Sequence, residues 1–171
     1  MNNFWIVVDT VRIPDALKQL KTITVLDTVL PLYAGSDFDY LIDQSPLLIN
    51  LGLNDSVLDK WSTLPLFDTS SVIFALEQNM DGYVLLNHLQ NLLSVKIDQT
   101  AFLFRFYVNS IWEQVANELN EQDIHTILGP ARALYWADSA LKIQSFSQQY
   151  IKPSLLDTPY HLTSSIFKQW V

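Results

Sequence analysis

"FWIVVDTVRIPDALKQLKTITVL", Phe4 to Leu26, is the stretch on which the fold class turns. Its first five residues, Phe4 to Val8, are an unbroken apolar run that ends at Asp9. A strand covered on both faces reads this way, because neither face needs a polar residue. Pro14 then sits where a first helical turn tolerates it, with Ala16, Leu17 and Leu20 spaced to point inward. Ile23 to Leu26 reads as a second strand. Strand, short helix, strand predicts an α/β unit.

The rest of the chain extends this pattern. In "PLYAGSDFDYLIDQSPLLINL", from Pro31, Ser36 and Asp39 have capping-box spacing and start a short helix carrying Phe38, Leu41 and Ile42. Pro46 stops it, and Leu47 to Leu51 reads as a third strand. Val57, Leu58 and Trp61 mark a helical turn, and Ser71 to Glu77 a fourth strand. Asp81 can cap a helix whose Leu85, Leu86, Leu89, Leu92 and Leu93 form one apolar stripe. Val95–Asp98 and Ala101–Tyr107 read as a hairpin around Gln99 and Thr100. Ser110 and Glu113 have capping-box spacing for a helix burying Ile111, Trp112, Val115 and Leu119. Asn120 can cap one more helix, which Gly129-Pro130 ends. Ala133–Ala137 and Leu141–Phe146 read as a last hairpin. The predicted architecture is α/β (α+β): a mixed β-sheet with flanking helices over residues 1–152, then a short helical C-terminal tail over 153–171.

Composition narrows the function. The chain has 171 residues, enough for one domain with a sizeable core, and is 49% hydrophobic with five Trp. Net charge is −8, and the seven Lys and three Arg form no basic stripe. Nucleic acid and anionic membranes repel such a chain, so neither is expected as a partner. There is no cysteine, which removes disulfides, thiolate chemistry and Cys-based zinc sites. With no secretion signal at Met1 and no run of apolar residues long enough to span a membrane, a cytoplasmic location is expected.

Motifs for catalysis are weak. His88, His125 and His161 have no metal-ligand spacing, and His88 fits a structural role at the edge of its leucine stripe. "GSDFD", Gly35 to Asp39, has the letters of a nucleotidyltransferase site, but here they start a helix. Asp9 and Asp27 both end predicted strands, where α/β enzymes place carboxylates and where turns also use Asp. They are the only basis for reading the chain as a small metal-dependent hydrolase. No Gly-x-Ser-x-Gly elbow exists. The expectation is therefore no enzyme, no cofactor and no metal.

Arg105 stands out. In "AFLFRFYVNSIWEQV", Ala101 to Val115, alternation places Phe102, Phe104 and Phe106 on one face and Leu103, Arg105 and Tyr107 on the other. An arginine among aromatics needs a partner. The expectation is a structural charge, mostly buried, with several backbone carbonyls or a carboxylate in reach, Asp98, Glu77 and Asp138 being the nearest candidates. The terminal residues Leu162, Ile166, Phe167 and Trp170 form an amphipathic segment that must pack on the body or on a partner, and Trp170 is expected to touch one.

The order of these pieces resembles the effector-chaperone, or adaptor, family of type VI secretion. "LFRFYVNSIWEQV" followed by "LGPARALYW" is similar to that family's Arg-Phe-Tyr strand, helix, Gly-Pro and Trp-bearing strand. "FWIVVDTVRIP", "PLYAGSDFDYLIDQSPLLINL" and "LLNHLQNLLSV" resemble its earlier segments, so the likeness runs over residues 4 to 146. Val108-Asn109 stands where the family commonly has Asp-Pro, and the C-terminal part is shorter than the family's helical lobe. The resemblance implies a protein that binds a toxic effector in the producing cell, close to the toxin's N-terminal end. It also implies help in loading that effector onto the VgrG spike. An immunity protein or other toxin-binding module is the alternative that acidic, cysteine-free chains of this size also suit.

Overall fold

A computed structural model describes residues 1–151 and 156–171. The expected boundary between body and tail, at Lys152, lies outside the described residues. The strands are β1 (Asn2–Val8), β2 (Val29–Pro31), β3 (Leu47–Asn50), β4 (Ser71–Glu77), β5 (Ser94–Ile97), β6 (Thr100–Leu103), β7 (Ala133–Ala137), β8 (Ile143–Ser147) and β9 (Tyr160–Leu162). The helices are α1 (Ala16–Leu20), α2 (Val57–Trp61), α3 (Phe67–Ser70), α4 (Gly82–Leu92), α5 (Asn109–Val115) and α6 (Glu121–Leu128).

Six strands form the main sheet in the order β2-β3-β1-β4-β7-β8, and every pairing in it is antiparallel. The small sheet, β6-β5-β9, is the mixed one, with β5 antiparallel to β6 and parallel to β9. The α/β class holds, but the opening does not form a parallel crossover unit. Ile23–Leu26 is a turn and coil rather than a strand, and β1 lies between β3 and β4. The reason is length. α1 has five residues, about 7.5 Å of helix, while β1 spans about 23 Å. A helix that short cannot return the chain for parallel pairing.

The unbroken apolar run of β1 is explained by its central place. Trp5 and Val7 enter one core, and Phe4, Ile6 and Val8 the other. β4 divides the same way, with Val72, Phe74 and Leu76 against Ile73 and Ala75. Helices α1, α2 and α3 cover the second face through Ala16, Leu20, Val57, Trp61 and Phe67. Helices α4, α5 and α6 cover the first, together with the small sheet.

Local signals placed several boundaries well. The Asp81 carboxylate accepts from the Tyr83 amide at 2.9 Å, and the Asn120 side chain accepts from the Asp123 amide at 2.8 Å, each capping its helix. Two differ. The Ser110 capping box does not form, because α5 starts at Asn109, whose side-chain amide donates to the Ala137 carbonyl and ties the helix to β7. The hairpin turns at Asp98 and Gln99, and β6 ends at Leu103, short of Arg105. Among the described residues no helix is long and apolar enough to cross a membrane.

Candidate functional site

Arg105 lies in the irregular segment between β6 and α5. Phe104 and Phe106 flank it and are fully buried, and the Trp112 indole donates to the Phe106 carbonyl at 2.7 Å. Those anchors turn Arg105 outward. Its side chain is 51% exposed, so the expectation of a mostly buried arginine is corrected. The expected partners are corrected too. Asp98 sits in the hairpin turn, Glu77 pairs with Arg132, and Asp138 accepts from Ala140, Lys142 and Gln144.

The partner is Asp9. Arg105 Nη2 donates to Asp9 Oδ2 at 3.3 Å, and its Nε donates to the Tyr107 hydroxyl at 3.4 Å. The guanidinium carbon stands 5.6 Å from the Tyr107 ring centroid, within cation–π reach. Asp9 is buried, and its Oδ1 accepts the amides of Val11 and Arg12 at 2.9 and 3.2 Å. The Tyr107 hydrogen bond is the leading cause that raises the Arg105 pKa above its ordinary value. Tyr33 is buried, and burial, then hydrogen bonding with Tyr107, pushes its phenol upward. Sequence reasoning flagged Asp9 and Arg105 separately and missed their pairing, for they are 96 residues apart.

Asp27 does not join them. Its amide donates to the Asn50 carbonyl, and Asn50 stands opposite Trp5 in the β1–β3 pair. Asp9 lies four residues beyond Trp5, just past the end of β1, about 13 Å along the chain. The two carboxylates on which a metal-dependent hydrolase rested thus lie beside opposite ends of the β1–β3 ladder. Among the described residues no group of three or more His, Asp or Glu side chains could hold a metal ion.

The C-terminal segment is built into the body. Tyr160–Leu162 forms β9 against β5, and a 3-10 turn follows over Ser165–Trp170, so the tail is only partly helical. Leu162 and Phe167 are buried, which withdraws them from direct partner contact. Ile166 and Trp170 are half-buried, and the Trp170 ring packs 6.3 Å from Phe104 and 5.1 Å from Phe167. Asp123, fully buried on α6, accepts the amides of Thr163 and Ser164 and the Thr163 hydroxyl. Ser164 returns the bond by accepting the Asn120 amide at 2.9 Å. The tail therefore completes the N-terminal cap of α6 from 40 residues away.

The three histidines divide by burial. His88 is buried with Nε2 donating to the Ile127 carbonyl at 2.8 Å, which leaves Nδ1 to accept from the Tyr160 hydroxyl at 3.0 Å. Burial pushes its pKa down to about 4. His125 bonds the Gln148 side chain. His161 is exposed on β9.

The sequence model of a family described as Domain of unknown function (DUF4123) matches residues 4–126. The chain belongs to this family. No curated protein and no solved structure matches it. The DUF4123 region opens in β1 and closes within α6, so it contains Asp9, Tyr33, Arg105 and Tyr107. The hairpin β7–β8 and the docked tail lie beyond it, although β7 completes the main sheet.

Proposed function

We propose that this protein is a non-enzymatic adaptor of type VI secretion. It binds a toxic effector in the cytoplasm of the producing cell, near the effector's N-terminal end, and helps bring it to the VgrG spike. One observation carries the reading: the DUF4123 match at residues 4–126 overlies most of the segments whose order resembles the effector-chaperone family, from "FWIVVDTVRIP" to "LFRFYVNSIWEQV". The Arg105 cluster supports it as a surface feature of that same region, offering a fixed cation beside aromatic side chains, a combination suited to protein contacts.

The test is co-expression with the products of the adjacent genes. The adaptor reading expects a stable complex with a secreted toxin, and a ternary complex once VgrG is added. A complex that forms but abolishes the toxin's activity in a target cell identifies an immunity protein instead. No complex with either product defeats the proposal.

A further inference from the structure

The contact between Arg105 and Asp9 is one-sided. Asp9 Oδ1 is occupied by two backbone amides, so the carboxylate meets the guanidinium only through Oδ2. An arginine fork can hold a carboxylate with two parallel bonds. Here Nη2 makes one such bond, Nε goes to Tyr107, and Nη1 has no protein partner among the described residues. The open side of the fork faces solvent, since about half of the side chain is exposed.

The surroundings favour an anion. Arg12, also exposed, follows Asp9 by three residues and makes no ion pair among the described residues. Two of the chain's three arginines are thus tied to one carboxylate, Arg105 by its guanidinium and Arg12 by its backbone amide, on a molecule of net charge −8. The Asp9 carboxylate is among the causes that raise the Arg105 pKa, after the Tyr107 hydrogen bond. Exposed apolar side chains stand two residues from each partner in the chain: Val11, after Asp9, is 61% exposed and Leu103, before Arg105, 55%.

We infer that Arg105, oriented by Asp9 and Tyr107, recognises a carboxylate on the bound protein, an Asp or Glu side chain flanked by apolar residues that rest on Val11 and Leu103. This rests on the adaptor reading for the identity of the partner, but not for the chemistry of the site. Asp9 and Tyr107 are positioning residues: they fix the plane of the guanidinium before the partner arrives, which lowers the ordering cost of binding.

Two measurements test it. The first titrates the isolated protein with acetyl-Leu-Glu-Leu-amide and acetyl-Leu-Gln-Leu-amide while following the arginine Nε–H signals by NMR. The Arg105 signal should shift saturably with the Glu peptide and at least about tenfold more weakly with the Gln peptide. Arg132, already engaged by Glu77, is the internal reference. Equal responses to both peptides, or an Arg105 shift no larger than that of Arg132, overturn the inference. The second uses the toxin encoded beside this chain. Arg105→Glu should weaken its capture by at least about tenfold, and an acid-to-Lys change in the toxin should restore it. Full capture by Arg105→Glu overturns the inference. Loss of self-association in that variant, with toxin capture intact, also does so, by placing a second copy of this chain at the site. If the wild-type protein captures no toxin, the adaptor reading fails and the peptide titration still decides the carboxylate site.

Discussion

Arg105 and His88 show how burial sets the worth of a charged or titratable side chain. Half of Arg105 is in water, so its pairing with Asp9 is screened, and Asp9 keeps two backbone donors without it. Arg105→Ala should cost about 1 kcal/mol or less in chemical denaturation, where loss of a fully buried pair costs about 3–5 kcal/mol. A larger loss would mean that the guanidinium holds the Asp9 turn in place. His88 is the opposite case. Its folded pKa of about 4 lies below the ordinary 6.5, so between those values the unfolded chain binds more protons than the folded one. The neutral ring therefore stabilises the fold fully above pH 6.5, and that contribution drains away as pH falls toward 4. Between pH 7.5 and 5 the loss should be about 2 kcal/mol, above the range where most carboxylates titrate. Denaturant melts at those two pH values measure it, and His88→Gln should flatten the difference. Gly129 belongs to the same packing: at φ +52° it passes so close to the His88 ring that an added Cβ would lie 2.4 Å from it.

Elements were legible where the signal was local. The leucine stripe of α4, the caps at Asp81 and Asn120, and the apolar run of β4 each lie within a dozen residues, and the structure has all of them. The strand β9 gave no such signal, because three residues show no periodicity, and its partner β5 is more than 60 positions earlier. What makes Tyr160–Leu162 a strand is the parallel ladder to Val95–Ile97 together with the Asp123 carboxylate that holds Thr163 and Ser164 just beyond it. That carboxylate gives a prediction at this scale. Asp123→Ala leaves the buried Ser164 amide and the part-buried Thr163 amide and hydroxyl without their acceptor. It should cost about 2–3 kcal/mol. Asp123→Asn keeps one acceptor oxygen and should cost less. Hydrogen exchange at the Thr163 and Ser164 amides should accelerate in the alanine variant before exchange in β1 and β4 changes. Uniform acceleration across all strands would instead tie the tail to global unfolding.

At the scale of the whole molecule, pattern identified layers but not their connections. Continuous apolar strands announced a sheet covered on both faces, and helix periodicities supplied the covers. Strand order is a long-range property, and nothing in "FWIVVDTVRIPDALKQLKTITVL" says that β1 will sit between β3 and β4, or that its end will meet the segment after β6. The candidate site is invisible in sequence for the same reason, since Asp9 and Arg105 become neighbours only through that order. The tail poses the same question of what is separable, and the structure answers it physically. Tyr160, Leu162 and Phe167 are all buried in the larger core, and Phe167 packs edge-on against Phe104 at 6.3 Å. Burying each such side chain contributes about 1.5–3 kcal/mol, so removing the three forfeits at least about 5 kcal/mol. The loss is comparable with the entire stability of an ordinary domain, about 5–15 kcal/mol. It also leaves Asp123 without its donors and exposes the edge of β5. A chain ending at Lys152 should therefore express poorly, melt without a cooperative transition and bind hydrophobic dye, and any loss of toxin capture by it would report unfolding. Trp170→Ala is the gentler probe of the surface, because that ring is only half-buried. If the truncated chain instead melts cooperatively near the wild-type temperature, the tail is an appendage whose packing is dispensable, and its aromatic residues are free for a partner.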